Sequence, residues 1–194
     1  LIDLGARLGL PFEANSRAVL SEPMDGRPSC NYCGQCSRGC PLGDKGSSDV
    51  TFLRQAEATG RLTLMTGAEV TRIETAPGGR IAAVHVVRDG VATRQETPVL
   101  VLAAGAVHTA ALLLRSADEV HPRGLANRSD QVGRNFMNHN ASALLALSPR
   151  RNGSVYQKTL MLNDWYLTGG PQGEPLGNIQ LLGRVSAPML AAQT

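Results

Sequence analysis

The stretch at residues 99–116, VLVLAAGAVHTAALLLRS, constrains the fold more than any other part of the chain. Its first four residues, 99–102, are apolar and partly β-branched, which predicts a short buried strand. Four small residues follow and predict a turn. Residues 109–116 are apolar on nearly every side, which predicts a buried helix. A strand, a turn of small residues and a helix form half of a βαβ unit, so we predict an α/β fold.

The turn that contains Ala103, Ala104 and Gly105 is a candidate ligand site. Its missing side chains let a ligand contact the backbone. The start of the following helix offers free N–H groups to anionic or ribose oxygens. An alternative is that the small residues only allow the helix to pack closely on the strand. The turn by itself leaves both interpretations open.

Residues 101–117, VLAAGAVHTAALLLRSA, resemble the second signature of the glucose-methanol-choline (GMC) flavin oxidoreductases. Ala110 stands where that family usually has proline, and Ala117 where it usually has glycine. Residues 124–139, which include the tetrapeptides GLAN and VGRN, resemble a further GMC segment. The resemblance extends from Leu1 to about residue 190.

The resemblance implies both a fold and a cofactor. Residues 1–137 would form part of a glutathione-reductase-like (Rossmann-type) FAD-binding domain with a β-meander and a cysteine-rich loop at residues 30–45. Residues 138–194 would begin an antiparallel α+β substrate domain. FAD would be bound by Ala103, Ala104, Gly105 and Val70. Val70 lies in GAEVTRI and matches a valine that contacts the adenine through its backbone. It is equally a core valine, and both roles are compatible because a backbone contact does not depend on the side chain.

All four cysteines, Cys30, Cys33, Cys36 and Cys40, lie within eleven residues at the spacing C-x2-C-x2-C-x3-C-P. Bacterial ferredoxins use this spacing to bind an iron–sulfur cluster, although two-cluster ferredoxins carry it twice. A zinc site would favour two separated pairs, and local disulfides would form in an oxidising compartment. The residues alone leave these alternatives open. The GMC resemblance implies the cluster, because FAD-dependent sugar dehydrogenases of that superfamily have a cluster-binding C-x3-C-P segment at this point.

Local patterns predict the remaining elements. Helical spacing predicts a helix over residues 1–10, and a second helix over about 50–59 would begin at a cap formed by Ser48 or Asp49. The residue pattern predicts strands at 61–64, 68–75 and 81–87, with a return strand at 91–96. Residues 157–160 and 177–181 resemble strands of the substrate domain in one bacterial branch of the GMC family. Pro77-Gly78-Gly79 and Asp89-Gly90 predict turns. Residues 11–28 are predicted to be irregular, and residues 141–147 are compatible with either a strand or a helix.

Two features of a complete GMC enzyme are not found in this sequence. A flavin enzyme of this kind needs a G-x-G-x-x-G turn for the pyrophosphate. The family also has a catalytic histidine near its C-terminus. We interpret the four histidines here, at positions 85, 108, 121 and 139, as surface or structural residues, so no catalytic residue is assigned. We expect the chain to be an internal fragment that is inactive by itself.

Composition excludes other classes of protein. The 194 residues are 42% hydrophobic, which is enough for a core, and the formal net charge of +3 is spread along the chain and does not indicate a nucleic-acid partner. A mean hydropathy of −0.10 and the lack of a long apolar run predict no membrane span. No signal peptide can be identified, and the cellular compartment is not predicted.

Two functions are compatible with these patterns. The first is a flavoenzyme that oxidises a CH–OH group of an alcohol or sugar by hydride transfer to FAD, with an electron-acceptor protein as a further partner. The second is a cysteine-centred iron–sulfur or zinc module without flavin. The order of the motifs that follow Cys40 favours the first function.

Overall fold

The computed structural model describes residues 2–36, 39–144, 149 and 159–182. Its elements, in chain order, are α1 (Ile2–Arg7), β1 (Glu13–Ala14), α2 (Phe52–Ala58), β2 (Ala68–Thr75), β3 (Ile81–Arg88), β4 (Val91–Glu96), α3 (Gly105–Arg115), β5 (Leu160–Leu162) and β6 (Ile179–Gln180). The chain divides into two compact units, Leu1–Leu62 with Ala146–Thr194, and Thr63–Leu145. It therefore combines helices with antiparallel sheets. No described helix has the length and apolar character needed to cross a membrane.

The unit Thr63–Leu145 is built on an antiparallel meander in the order β2-β3-β4, which confirms the predicted β-meander. Asp89 and Gly90 connect β3 to β4 with φ values of 51° and 77°. Positive φ at both central residues is typical of the tight hairpin turn that matches the twist of the strands. The predicted strands at 68–75, 81–87 and 91–96 are all present, the second with Arg88 added.

The core of this unit lies between the meander and α3. Ile73, Val84 and Val86 contribute from the sheet, Leu112 contributes from α3, and Leu125 contributes from the loop that follows the helix. These five side chains are at most 8% exposed. Burying a Val, Leu or Ile side chain contributes about 1.5–3 kcal/mol. The cluster therefore fixes α3 against β2.

The prediction of a buried strand at residues 99–102 is wrong. This segment is not assigned as a strand, and Val99 and Val101 are 73% and 83% exposed. Leu100 and Leu102 do pack against the core, so the segment has the alternation of a strand. A strand also needs a hydrogen-bonded neighbour, and no described strand pairs with residues 99–102.

Other element boundaries also differ from the predictions. The helix predicted at 109–116 is present, but α3 begins four residues earlier, at Gly105, and ends at Arg115. Thr51 is the residue at the start of α2, and it makes no side-chain capping bond, so the Ser48 or Asp49 cap is wrong. The strand predicted at 61–64 is absent, and residues 141–144 have no regular structure.

The other unit contains two short helices and a small sheet in the order β1-β5-β6. Leu162 of β5 is fully buried. The helix predicted at 1–10 is present but shorter, as α1 over Ile2–Arg7. Gly5 of α1 is buried, and its carbonyl accepts a hydrogen bond from the Leu10 N–H at 2.8 Å. Leu160 and residues 179–180 confirm the strand character predicted near 160 and 180. Residues 157–158, like 145–147, lie outside the described residues.

Asp118 connects β2 to the loop after α3 and should make the unit Thr63–Leu145 sensitive to acid. Its carboxylate accepts hydrogen bonds from Thr75 Oγ1 and from the His121 N–H, both at 2.6 Å. The Thr75 hydroxyl first, then the His121 contacts, lower the pKa of Asp118 to about 2. Because folding lowers the pKa of Asp118, its carboxylate stabilises the folded unit at pH values above the ordinary aspartate pKa. This stabilisation is lost as the pH falls toward 2.

We therefore expect the urea midpoint of the native chain to fall more steeply between about pH 4 and about pH 2 than the midpoint of Asp118→Asn. Glu119→Gln removes the exposed neighbouring carboxylate and serves as the control, with a native-like slope. Equal slopes for the native chain and Asp118→Asn would contradict the role given to Asp118.

Candidate functional site

An open groove of about 510 Å³ lies at the start of α3, entirely within the unit Thr63–Leu145. Its lining is formed by Leu102, Ala103, Gly105, Ala106, Thr109, Ala110, Leu113, Val132 and Gly133. The small residues allow access to the backbone, whereas Leu102, Leu113 and Val132 form apolar walls. A concave, mostly apolar site with a few polar groups is typical of cofactor binding.

The first turn of α3 presents backbone donors to this groove. Ala104 precedes the helix with φ −85° and ψ 12°, and no side chain caps the helix start. The N–H groups of a first helical turn have no partner within the helix, so they remain available to a ligand oxygen. Gly105 has φ 78°, and a Cβ added there would meet no atom within 4 Å. A side chain would have room at position 105, so it is the positive φ that favours glycine there.

The structure brings some of the predicted cofactor residues together. Ala103 and Gly105 line the groove, while Ala104 is the cap residue between them. Val70 is outside the lining and is half-buried on β2, where it packs against the same hydrophobic core as Leu102. As an edge strand of its sheet among the described residues, β2 leaves part of its backbone unpaired.

Sequence reasoning did not assign Val132 and Gly133 to this groove. The sequence signal was present, because both belong to the VGRN segment that resembles the GMC family. Gly133 has φ 79°, and a Cβ there would lie 3.3 Å from Leu114 Cδ1 of α3. A bulkier residue at position 133 would therefore press against the helix. Asn127 holds the preceding loop, because its Oδ1 accepts the Val132 N–H at 3.0 Å and its Nδ2 donates to the Arg123 carbonyl at 2.7 Å.

Two of the four histidines contact carboxylates, and the other two are exposed. His85 contacts Glu74 at 3.0 Å, and His121 contacts Asp118 at 2.9 Å. His108 and His139 are exposed. None of the four lines the groove at α3.

Two of the four cysteines, Cys30 and Cys40, contact a carboxylate that sequence reasoning missed. Asp44 is only 3% exposed and accepts a hydrogen bond from Cys40 Sγ at 2.7 Å. Hydrogen bonds from Cys40 and from Cys30 lower the pKa of Asp44. Cys33 is exposed, in contrast, and all four cysteines are free thiols.

Asp44 also affects the protonation of Cys30. The Tyr32 N–H donates to Cys30 Sγ at 3.4 Å and by itself lowers the pKa of that thiol. The hydrogen bond to Asp44, burial, and the negative charges of Asp44 and Cys36 outweigh it and raise the pKa. A carboxylate held against the Cys30 thiol favours the neutral form of that thiol, whereas metals bind the thiolate.

The described cysteine arrangement does not fit an iron–sulfur cluster. Such a cluster needs several thiolates directed at a common centre. Within residues 2–36, 39–144, 149 and 159–182, no three or more His, Cys, Asp or Glu side chains are placed to hold a metal ion. Two of the thiols donate to Asp44 instead. The geometry therefore does not support the cysteine-centred alternative.

Comparison with known proteins agrees with the groove and its motifs. A family model described as GMC oxidoreductase matches residues 13–141, which is about two thirds of the chain. The chain belongs to the GMC oxidoreductase family. The match includes β2, the turn at Ala103, all of α3 and the VGRN segment, so every residue that lines the groove lies within the GMC match.

Proteins similar to this chain include oxidases and dehydrogenases. The 6'''-hydroxyparomomycin C oxidase of Streptomyces lividus is 34% identical over 86% of this chain and 30% of its own length. The fructose dehydrogenase large subunit of Gluconobacter japonicus is 33% identical over 71% of this chain and 25% of its own length. The 2-methyl-1,2-propanediol dehydrogenase of Mycolicibacterium austroafricanum is 32% identical over 68% of this chain and 24% of its own length. The chain thus spans less than a third of each relative.

Proposed function

We propose that this chain supplies part of the FAD site of an oxidoreductase that oxidises a CH–OH group of an alcohol or sugar. The observation that carries the proposal is the uncapped first turn of α3 beside an open groove of small residues. Family membership supports FAD as the ligand. The names of the relatives, two dehydrogenases and an oxidase, support the reaction class. The bound flavin would accept a hydride from the substrate carbon.

The residues of the groove fit a flavin nucleotide. The first-turn N–H groups of α3 can donate to ribose or phosphate oxygens, and the helix dipole favours negative charge at this end. Ala103 and Ala106 leave room for a ligand to approach the backbone. Leu102, Leu113 and Val132 offer apolar wall surface to a flavin nucleotide.

The domain assignment forms part of the same proposal. Residues 1–137 belong to a glutathione-reductase-like FAD-binding domain, and residues 138–194 begin the substrate domain. The end of the family match at residue 141 supports a boundary close to this position. In this proposal the backbone of Val70, on the edge strand β2, contacts the adenine. No catalytic base is assigned to this chain.

Substitution of Ala106 tests the proposed flavin site. Ala106→Leu fills the groove beside the first turn of α3, and we expect it to weaken FAD binding about tenfold or more, since overpacking of this kind costs about 1–3 kcal/mol. Val107→Leu is the matched control, because Val107 lies on the same turn, is 59% exposed and does not line the groove. The measurement is FAD binding by flavin fluorescence, with the circular dichroism spectrum as a check of folding.

One outcome would contradict the proposed flavin site. If folded Ala106→Leu binds FAD as tightly as Val107→Leu, the flavin does not occupy this groove. Turnover of the flavin-loaded full-length reading frame, with a panel of sugars and alcohols and an artificial electron acceptor, tests the reaction class separately. No turnover with any CH–OH substrate would contradict the proposed reaction.

A further inference from the structure

Asp44 is a buried carboxylate that joins two thiol groups in the unit that contains α1 and the small sheet. Its side chain is 3% exposed, and Cys40 Sγ donates a hydrogen bond to its Oδ1 at 2.7 Å. The Cys30 thiol donates to the same carboxylate. A carboxylate held away from water needs such donors, because an unpaired buried charge is strongly unfavourable. The two thiols are therefore part of what stabilises Asp44 in its buried, charged form.

Backbone hydrogen bonds place Cys30 and Asp44 against the same residue. The Leu20 N–H donates to the Asp44 carbonyl at 3.2 Å, and the Cys30 N–H donates to the Leu20 carbonyl at 2.8 Å. Cys40 is held in the loop of Asp44, because its carbonyl accepts the Gly43 N–H at 3.2 Å. Two separate segments thus bring their sulfur atoms to one shared acceptor, which makes the two thiols neighbours.

The shared acceptor distinguishes this pair from the other two cysteines. Cys30 and Cys40 are half-buried free thiols, so a small reagent can reach both sulfurs, whereas Cys33 is exposed. Cys36 is half-buried as well, but it is Cys40 that donates to the same carboxylate as Cys30. The structure therefore favours Cys40 over Cys36 as the partner of Cys30.

We propose that Cys30 and Cys40 form a reversible dithiol–disulfide couple that exchanges with glutathione disulfide, and that Asp44 stabilises the reduced state of this couple. One cysteine thiolate attacks glutathione disulfide and releases a glutathione thiolate. The second cysteine sulfur then attacks the mixed disulfide, forms the Cys30–Cys40 bond and releases the other glutathione thiolate. The two cysteine protons pass to these thiolates, so two cysteine sulfurs are oxidised while one glutathione disulfide is reduced.

Oxidation of the couple changes the hydrogen bonding of Asp44. A disulfide has no S–H donor, so the Cys30–Cys40 bond removes both thiol donors from a carboxylate that is almost fully buried. Hydrogen bonds to an ionised acceptor are about twice as strong as neutral ones. The couple should therefore become oxidised only at a high ratio of glutathione disulfide to glutathione. This inference does not rest on the proposed flavin site, whose groove lies in the unit Thr63–Leu145.

A glutathione titration of the native chain tests the pairing. The chain is equilibrated anaerobically with mixtures of glutathione and its disulfide, quenched by alkylation and digested with trypsin. Trypsin separates the peptide 18–38, which contains Cys30, from the peptide 39–45, which contains Cys40. We expect mass spectrometry to find a reversible disulfide between the two peptides, with fragmentation assigning it to Cys30 and Cys40. A disulfide that forms first between any other pair, or none at any glutathione ratio, would overturn the proposal.

Asp44→Asn tests the role of the carboxylate. Asparagine keeps the shape of the side chain and removes its charge, so we expect the equilibrium constant for disulfide formation to rise about tenfold. This rise corresponds to a midpoint potential lower by about 30 mV. Asp49→Asn is the matched control, because Asp49 is an exposed acidic residue close in sequence, and this variant should titrate as the native chain does.

An equilibrium constant for Asp44→Asn that is no higher than that of Asp49→Asn would show that the carboxylate does not stabilise the reduced pair. Circular dichroism checks the folding of both variants. If Asp44→Asn does not fold, Asp44→Ser is titrated in its place with the same expectation, because serine also removes the charge and leaves a small polar side chain.

Discussion

Replacement of Gly124 by alanine is expected to destabilise the unit Thr63–Leu145 by about 3 kcal/mol or more, which is a large part of the stability of an ordinary domain. The added Cβ would lie 2.9 Å from both the Leu113 carbonyl oxygen and Leu114 Cα, and these backbone atoms cannot move without displacing α3. Gly124 also has φ 98°, which an L-residue adopts only at a cost. The same loop delivers Leu125 to the core through its N–H bond to the Leu113 carbonyl at 2.9 Å.

Gly105→Ala is the matched control for Gly124→Ala. Gly105 also has a positive φ, 78°, but a Cβ there would meet no atom within 4 Å. Only the cost of the positive φ remains for alanine, so we expect the free energy of unfolding to fall by about 1 kcal/mol. Urea unfolding followed by circular dichroism gives the stabilities, and hydrogen exchange of the α3 amides locates the effect. Equal losses in the two variants would show that the close approach at Gly124 is relieved at little cost.

Ser116→Ala is expected to lower the free energy of unfolding by about 2 kcal/mol, because it leaves a buried N–H donor without a partner. Ser116 is fully buried at the end of α3. Its hydroxyl donates to the Leu112 carbonyl at 2.6 Å and accepts the Ile73 N–H of β2 at 2.9 Å. The hydroxyl thus connects the helix to the sheet, and alanine cannot replace either bond. Urea unfolding measures the loss.

Thr59→Ala separates the effect of burial from that of the hydrogen bonds. Thr59 occupies the equivalent position at the end of α2, where its hydroxyl donates to the Ala56 carbonyl at 2.6 Å and accepts the Arg61 N–H at 3.2 Å. These bonds are exposed, so water replaces them and we expect a loss below about 1 kcal/mol. A loss in Ser116→Ala no larger than in Thr59→Ala would show that the Ile73 N–H finds another partner.

The sequence by itself determined the elements that depend on near neighbours. The meander follows from alternating side chains and from Asp89-Gly90, whose positive φ values form the turn without help from the rest of the chain. The family could also be identified from the sequence, because the glycines and small residues of 101–117 and 124–139 serve a common backbone geometry. That pattern located two of the residues that line the groove, Ala103 and Gly105.

Tertiary structure decided what depends on distant partners. Residues 99–102 have the composition of a buried strand, but strand pairing is a property of two segments, and Val99 and Val101 remain exposed. The cysteine spacing is compatible with a cluster, a zinc site or disulfides, and only the tertiary structure shows that Asp44 is buried against Cys40. Val132 and Gly133 reach the groove only because the loop after α3 folds back over the helix. Local propensity sets secondary structure, whereas burial and long-range contacts set the environment in which each side chain acts.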